Sequence, residues 1–71
     1  MGYLRLRYLL RRQRVTLRDV ATLTNRGVSE VYDLCGVKLI DRDKDFTEAE
    51  KMCIYRTYFA ESNLSLEEVF L

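Results

Sequence analysis

The chain has 71 residues, 12 lysines and arginines against 11 acids, no histidine, no proline, three glycines and two cysteines. A chain this short buries only roughly 60% of the surface it exposes when unfolded, enough for one modest core, and its few glycines and absent prolines argue against the many turns of an all-strand fold. Cys35 and Cys53 stand in no metal-ligand spacing and no histidine completes a set, so no structural zinc or other metal is expected.

Both cysteines lie in apolar stretches, which predicts buried free thiols and a reducing, cytoplasmic setting. Near the N-terminus Arg5, Arg7, Arg11 and Arg12 interrupt the apolar residues, so neither a signal peptide nor a membrane span is expected. Charge is split along the chain. Residues 1–26 hold seven arginines against the single acid Asp19, a net +6, whereas residues 27–71 hold five cations against ten acids, a net −5. A basic end on a small helical domain attracts a phosphate backbone or an acidic protein.

Taken in chain order, residues 2–14 place Tyr3, Leu6, Leu9 and Leu10 at helical spacing with arginines on most of the remaining face, a first helix. Thr16-Leu17-Arg18-Asp19 has the form of a capping box, with Val15 and Val20 as its hydrophobic staple, so a second helix starts at Leu17 and runs to Leu23 or Thr24. Asn25-Arg26-Gly27 turns the chain, since asparagine and glycine tolerate a left-handed backbone. Val28, Val31, Leu34 and Cys35 then share one side of a third helix that Gly36 ends.

Residues 37–45 read as a loop with an extended start and a solvated charge run. Thr47-Glu48-Ala49-Glu50 is a second capping box, opening a fourth helix to about Ala60. On that helix Ala49, Met52, Cys53, Phe59 and Ala60 make one apolar side, while Ile54 and Tyr58 fall nearly opposite. A helix apolar on two sides is sandwiched or sticky, which makes Ile54 and Tyr58 candidates for a partner or dimer surface. Ser65-Leu66-Glu67-Glu68, with Leu64 and Val69 as staple, opens a short fifth helix.

The offsets around the second and third helices are informative. Ala21 is small where two helices cross, Asn25 sits four residues on at the turn, and Val31 and Leu34 follow as core positions. This spacing resembles the lambda repressor and Cro-like helix-turn-helix family. Leu6-Arg7-Tyr8-Leu9-Leu10 before Val15-Thr16-Leu17 is similar to that family's first helix. Asp45-Phe46-Thr47, Glu50, Ile54 and the tail Leu66-Glu67-Glu68-Val69-Phe70-Leu71 are similar to the closing helices of small phage-encoded members. The resemblance covers nearly the whole chain. It implies an all-α, compact five-helix lambda repressor-like domain over residues 1–71, with the helix-turn-helix unit at about 16–36.

Carried over residue by residue, it implies a groove-facing side at Gly27, Val28, Ser29, Tyr32 and Asp33, with Arg26 at its N-terminal end. Arg26, Ser29, Tyr32, Glu30 and Asp33 become the base-contact candidates, and Arg14, Thr16, Arg18 and Lys38 the phosphate-contact candidates. The sequence departs from the family at three places. Leu17 stands where many relatives carry a phosphate-binding glutamine, Arg26 stands where they bury an aliphatic, and Glu30 and Asp33 make the recognition helix acidic.

The function this implies is a phage or prophage-type transcriptional regulator that binds double-stranded operator DNA as a dimer. The alternative is an antirepressor, resembling the modulator-of-repression type, that uses the same surface to bind a phage repressor protein. No nucleophile elbow, phosphate-cradling glycine loop or metal set is present, and Glu48 and Glu50 do not face each other on a helix, so neither catalysis nor a cofactor is expected.

Overall fold

The computed structural model describes residues 2–36 and 45–71. Among these, five helices follow one another: α1 (Leu4–Arg12), α2 (Leu17–Thr24), α3 (Val28–Leu34), α4 (Glu48–Tyr58) and α5 (Leu66–Val69). The expected loop at residues 37–45 lies outside the described residues except for Asp45.

Three of the five helices begin where a side chain can take the orphan backbone donors of a first turn. Thr16 and Asp19 close a reciprocal capping box on α2, Thr47 and Glu50 one on α4, and Ser65 and Glu68 one on α5. All three were expected from the sequence, aspartate serving at α2 where glutamate or glutamine is usual. The two ends that fix the path of α1–α2–α3 are Schellman turns. Val15 N–H donates to the Leu10 carbonyl and Arg26 N–H to the Ala21 carbonyl, both at 3.0 Å. Each turn needs one left-handed residue, and these are Arg14 (φ 60°) and Asn25 (φ 56°). Gly27 is not left-handed, as the turn composition had suggested, but forms the extended N-cap of α3.

The core gathers one stripe from every helix. Tyr3, Leu6 and Leu10 meet Leu17, Val20 and Ala21 of α2, Val31 and Leu34 of α3, Ile54 of α4 and Val69 of α5, joined by Cys35, Phe46 and Phe59. α2 packs against α3 and α4, and α5 packs against α4 and α1. Both cysteines are free, and burial pushes the Cys35 thiol up to about 11, leaving it a packing group. No helix of the described residues is long and apolar enough to cross a membrane.

Ile54 corrects the sequence-based expectation for α4. It is completely enclosed and so offers no surface, while Tyr58 is partly buried and packs against the same core. From the side read as apolar, Phe59 is buried as expected, Met52 and Cys53 are half-buried, and Ala49 and Ala60 are exposed. The pattern misled because α4 is covered by α2 along one flank and α5 along another, which selects the Ile54–Tyr55–Tyr58 side over the flank with more small residues.

The start of the chain is strapped to the end of α3. Gly2 N–H donates to the Gly36 carbonyl at 3.0 Å and Tyr3 N–H to the Leu34 carbonyl at 2.7 Å. A β-carbon at Gly2 would press into the Leu34 and Gly36 carbonyl oxygens, so only glycine allows this approach. Gly2→Ala is expected to lower the unfolding free energy by about 1–3 kcal/mol in urea titrations, as overpacking does, whereas Gly27→Ala, which meets only the flexible Glu30 side chain, should cost clearly less.

Candidate functional site

α3 presents Ser29, Glu30, Tyr32 and Asp33 to solvent while Val31 and Leu34 hold its other side in the core. Four of the five base-contact candidates therefore share one accessible helix face. Tyr32 is 49% exposed and marks the boundary with a second feature.

That feature is a groove of about 290 Å³ between α1 and the start of α2, lined by Arg7, Arg11, Arg14, Val15, Thr16, Leu17 and Tyr32. Helical spacing puts Arg7 and Arg11 one turn apart on α1, and the left-handed turn at Arg14 brings a third guanidinium-bearing residue to the same opening. The Arg7 guanidinium lies over the Tyr32 ring, 5.9 Å from its centre, so α1 and α3 meet across the groove through a cation–π contact. A shallower hollow of about 230 Å³, lined by Leu4, Arg7, Tyr8 and Arg11, continues it along α1. There Tyr8 is 60% exposed with Arg12 over its ring.

Among the described residues, Arg5, Arg7, Arg11, Arg12, Arg14 and Arg18 form no salt bridge with any acid. Among the described residues no close contact with an acid therefore neutralises their field. Thr16 lines the groove, but its hydroxyl already accepts from Asp19 N–H and its own N–H donates to the Asp19 carboxylate, each at 3.1 Å. Leu17 is buried. The first turn of α2 thus contributes the exposed Arg18 and, at its cap, a Thr16 hydroxyl that the capping box uses only as an acceptor, and the cations of the groove come from α1 and the turn after it. The sequence had pointed to Arg14, Thr16 and Arg18; that Arg7 and Arg11 would join Arg14 beside Tyr32 depends on how α1 is rotated against α3. Lys38 lies outside the described residues.

Arg26 stands apart from the other arginines and from its expected place at the edge of α3. Its Nε donates to Glu50 Oε2 at 2.7 Å and its Nη2 to Glu50 Oε1 at 2.8 Å and to the Asp45 carbonyl at 2.8 Å. Nη1 lies 3.4 Å from Glu30 Oε2, and the guanidinium stacks over Phe46 at 5.5 Å. With its donors turned to α4 and only 16% of its side chain exposed, Arg26 holds the fold and does not reach for a base. The side chain is enclosed between the α2–α3 turn and α4, and an arginine so placed requires a carboxylate. Glu50 is the partner the sequence did not reveal, because its spacing from Thr47 already explained it as a cap.

The Arg26 hydrogen bonds hold the Glu50 carboxyl below its usual range, against the opposing effect of burial, and raise the guanidinium in turn. A depressed carboxyl stabilises the fold above its unfolded value of about 4.3, and that contribution disappears as pH falls through the lower folded value. Among the described residues no group of three or more metal-ligating side chains is assembled.

Glu50→Gln keeps a capping side chain for Thr47 but removes the charge opposite Arg26. It is expected to cost about 1.5–3 kcal/mol at pH 7, with the gap from the unmodified chain closing in denaturant titrations as pH falls below the unfolded carboxyl value of about 4.3. A gap independent of pH would show that the charge of Glu50 does not matter.

No protein-family model, curated protein or solved structure matches the chain, so the reading of this surface rests on its own residues and geometry.

Proposed function

We propose that the chain is a helix-turn-helix transcriptional regulator of the phage repressor or Cro type, binding operator DNA with α3 in the major groove. The observation that carries this reading is the continuity of two surfaces. The exposed polar face of α3 runs at Tyr32 into a groove whose three arginines have no acid partner among the described residues. A duplex needs both parts: base edges are read by short polar side chains on a helix narrow enough for the major groove, and the flanking phosphates are held by cations beside it.

Within this reading Ser29 and Tyr32 contact base edges, Glu30 and Asp33 accept from cytosine amino groups or reject phosphate-rich misalignments, and Arg14 and Arg18 hold the backbone. Arg26 is a positioning residue that fixes the α2–α3 turn against α4. Two copies on a two-fold operator would give each α3 one half-site.

One observation favours the antirepressor alternative. The exposed face of α3 carries two carboxylates, and α3 itself contains neither lysine nor arginine. Such a helix can engage the basic groove-binding face of a repressor.

Binding of the purified chain to duplexes from the promoter region beside its own gene, over a salt series, separates the two. Contact with about five phosphates gives a slope of log K against log salt near −4.5. Ser29→Ala and Tyr32→Ala should each change sequence preference by about 1–3 kcal/mol. Absence of duplex binding at low salt, together with release of the neighbouring repressor from its operator, would replace the operator-binding reading with the antirepressor one.

A further inference from the structure

We infer that the groove between α1 and the start of α2 is a phosphate site in which Arg7, Arg11 and Arg14 act together, its occupant on the operator-binding reading being successive phosphodiesters of one DNA strand. Three observations converge on it. The lining holds three guanidinium groups and no acid, and none of the three arginines forms a salt bridge among the described residues. The guanidinium fork matches phosphate oxygens in a way that an ammonium does not, and the contact with Tyr32 steadies Arg7 beside the exposed face of α3.

Arg14 supplies the third observation. It occupies the left-handed position of the Schellman turn that ends α1, where glycine or asparagine is the low-energy choice. An arginine there keeps a strained backbone and places a cation at the mouth of the groove, the pairing of strain with a binding role found at functional sites.

The chemistry favours a polyanion over a single carboxylate. From Arg7 to Arg11 the helical rise spans about 6 Å, and Arg14 adds a third cation in the turn beyond the helix end, room for more than one phosphate of a strand that carries one charge per roughly 3.4 Å of duplex axis. Thr16, held in its capping box by Asp19, and the exposed Arg18 flank the site at the start of α2 without adding an acid to its lining. A free nucleotide presents the same phosphate chemistry, and the experiment separates the two sources.

The test measures duplex binding by fluorescence anisotropy over a salt series for the unmodified chain, the double variant Arg7→Gln/Arg11→Gln, Arg14→Gly, and Arg56→Gln, which removes one charge from α4 outside the groove. The double variant is expected to flatten the salt slope by about 1.8 and Arg14→Gly by about 0.9, with affinity lost equally on promoter and scrambled duplexes. Arg14→Gly should also raise Tm, which separates loss of binding from loss of fold, and Arg56→Gln should leave the slope unchanged. A slope in the double variant equal to that of the unmodified chain overturns the site.

Should the unmodified chain bind no duplex, the operator reading fails by itself. Titration of the arginine Nε–Hε NMR signals with inorganic pyrophosphate then decides the rest. Shifts confined to Arg7, Arg11 and Arg14 support a phosphate site for a free nucleotide, and unmoved signals overturn it.

Discussion

The bidentate pairing of Arg26 with Glu50 is the contact through which the remainder of the fold is oriented. Glu50 Oε1 accepts from both Arg26 and the Thr47 N–H, so one carboxylate both starts α4 and ties α4 to the turn between α2 and α3. Arg26 also holds the Asp45 carbonyl, and the Asp45 carboxylate accepts from the Tyr3 hydroxyl at 2.7 Å and the Phe46 N–H at 2.7 Å. The start of α1, the α2–α3 turn and the start of α4 thus meet in one polar network roofed by the rings of Tyr3, Phe46 and Phe70. A pair this enclosed is not a cheap source of stability, since desolvation offsets much of its attraction. What it gives is geometry: the fork has one good orientation against the carboxylate, and with it the turn has one good orientation against α4.

This accounts for the contrast between Arg26 and the arginines of α1. An enclosed guanidinium is matched by a carboxylate because an unmatched one would be too costly there. The arginines of α1, Arg14 and Arg18 remain near water, where an unpaired cation costs little, and they retain a field directed outward. That field adjoins a helix face bearing Glu30 and Asp33. On the operator-binding reading the arrangement divides labour: long-range attraction comes from α1 and its following turn, and α3 contributes discrimination while adding no general affinity for phosphate.

Two backbone features place these surfaces with little tolerance. Gly2 lets the chain lie directly on the carbonyls at the end of α3, which pins α1 beside α3. Arg14 turns the chain sharply into α2 with a left-handed residue. The groove is the space these two constraints leave between the helices. Its position is therefore a property of the packing and not of the local sequence around any of its arginines.

The sequence by itself determined the five helices and the beginnings of α2 to α5, whereas α1, read over residues 2–14, runs only from Leu4 to Arg12. Capping boxes at Thr16, Thr47 and Ser65 are local devices, completed within four residues, and the apolar spacing of Leu6 and Leu10 or of Val31 and Leu34 repeats with the helical period; both were legible without tertiary contacts. Tertiary structure alone decided the partners. Glu50 meets Arg26 across 24 residues of chain, the buried side of α4 was chosen by what α2 and α5 cover, and Arg7, Arg11 and Arg14 came to share an opening with Tyr32 through the rotation of α1 against α3. Periodicity fixes which residues lie on a common face, but it carries no information about which neighbour that face will meet, because the choice is made by packing between segments distant in the chain.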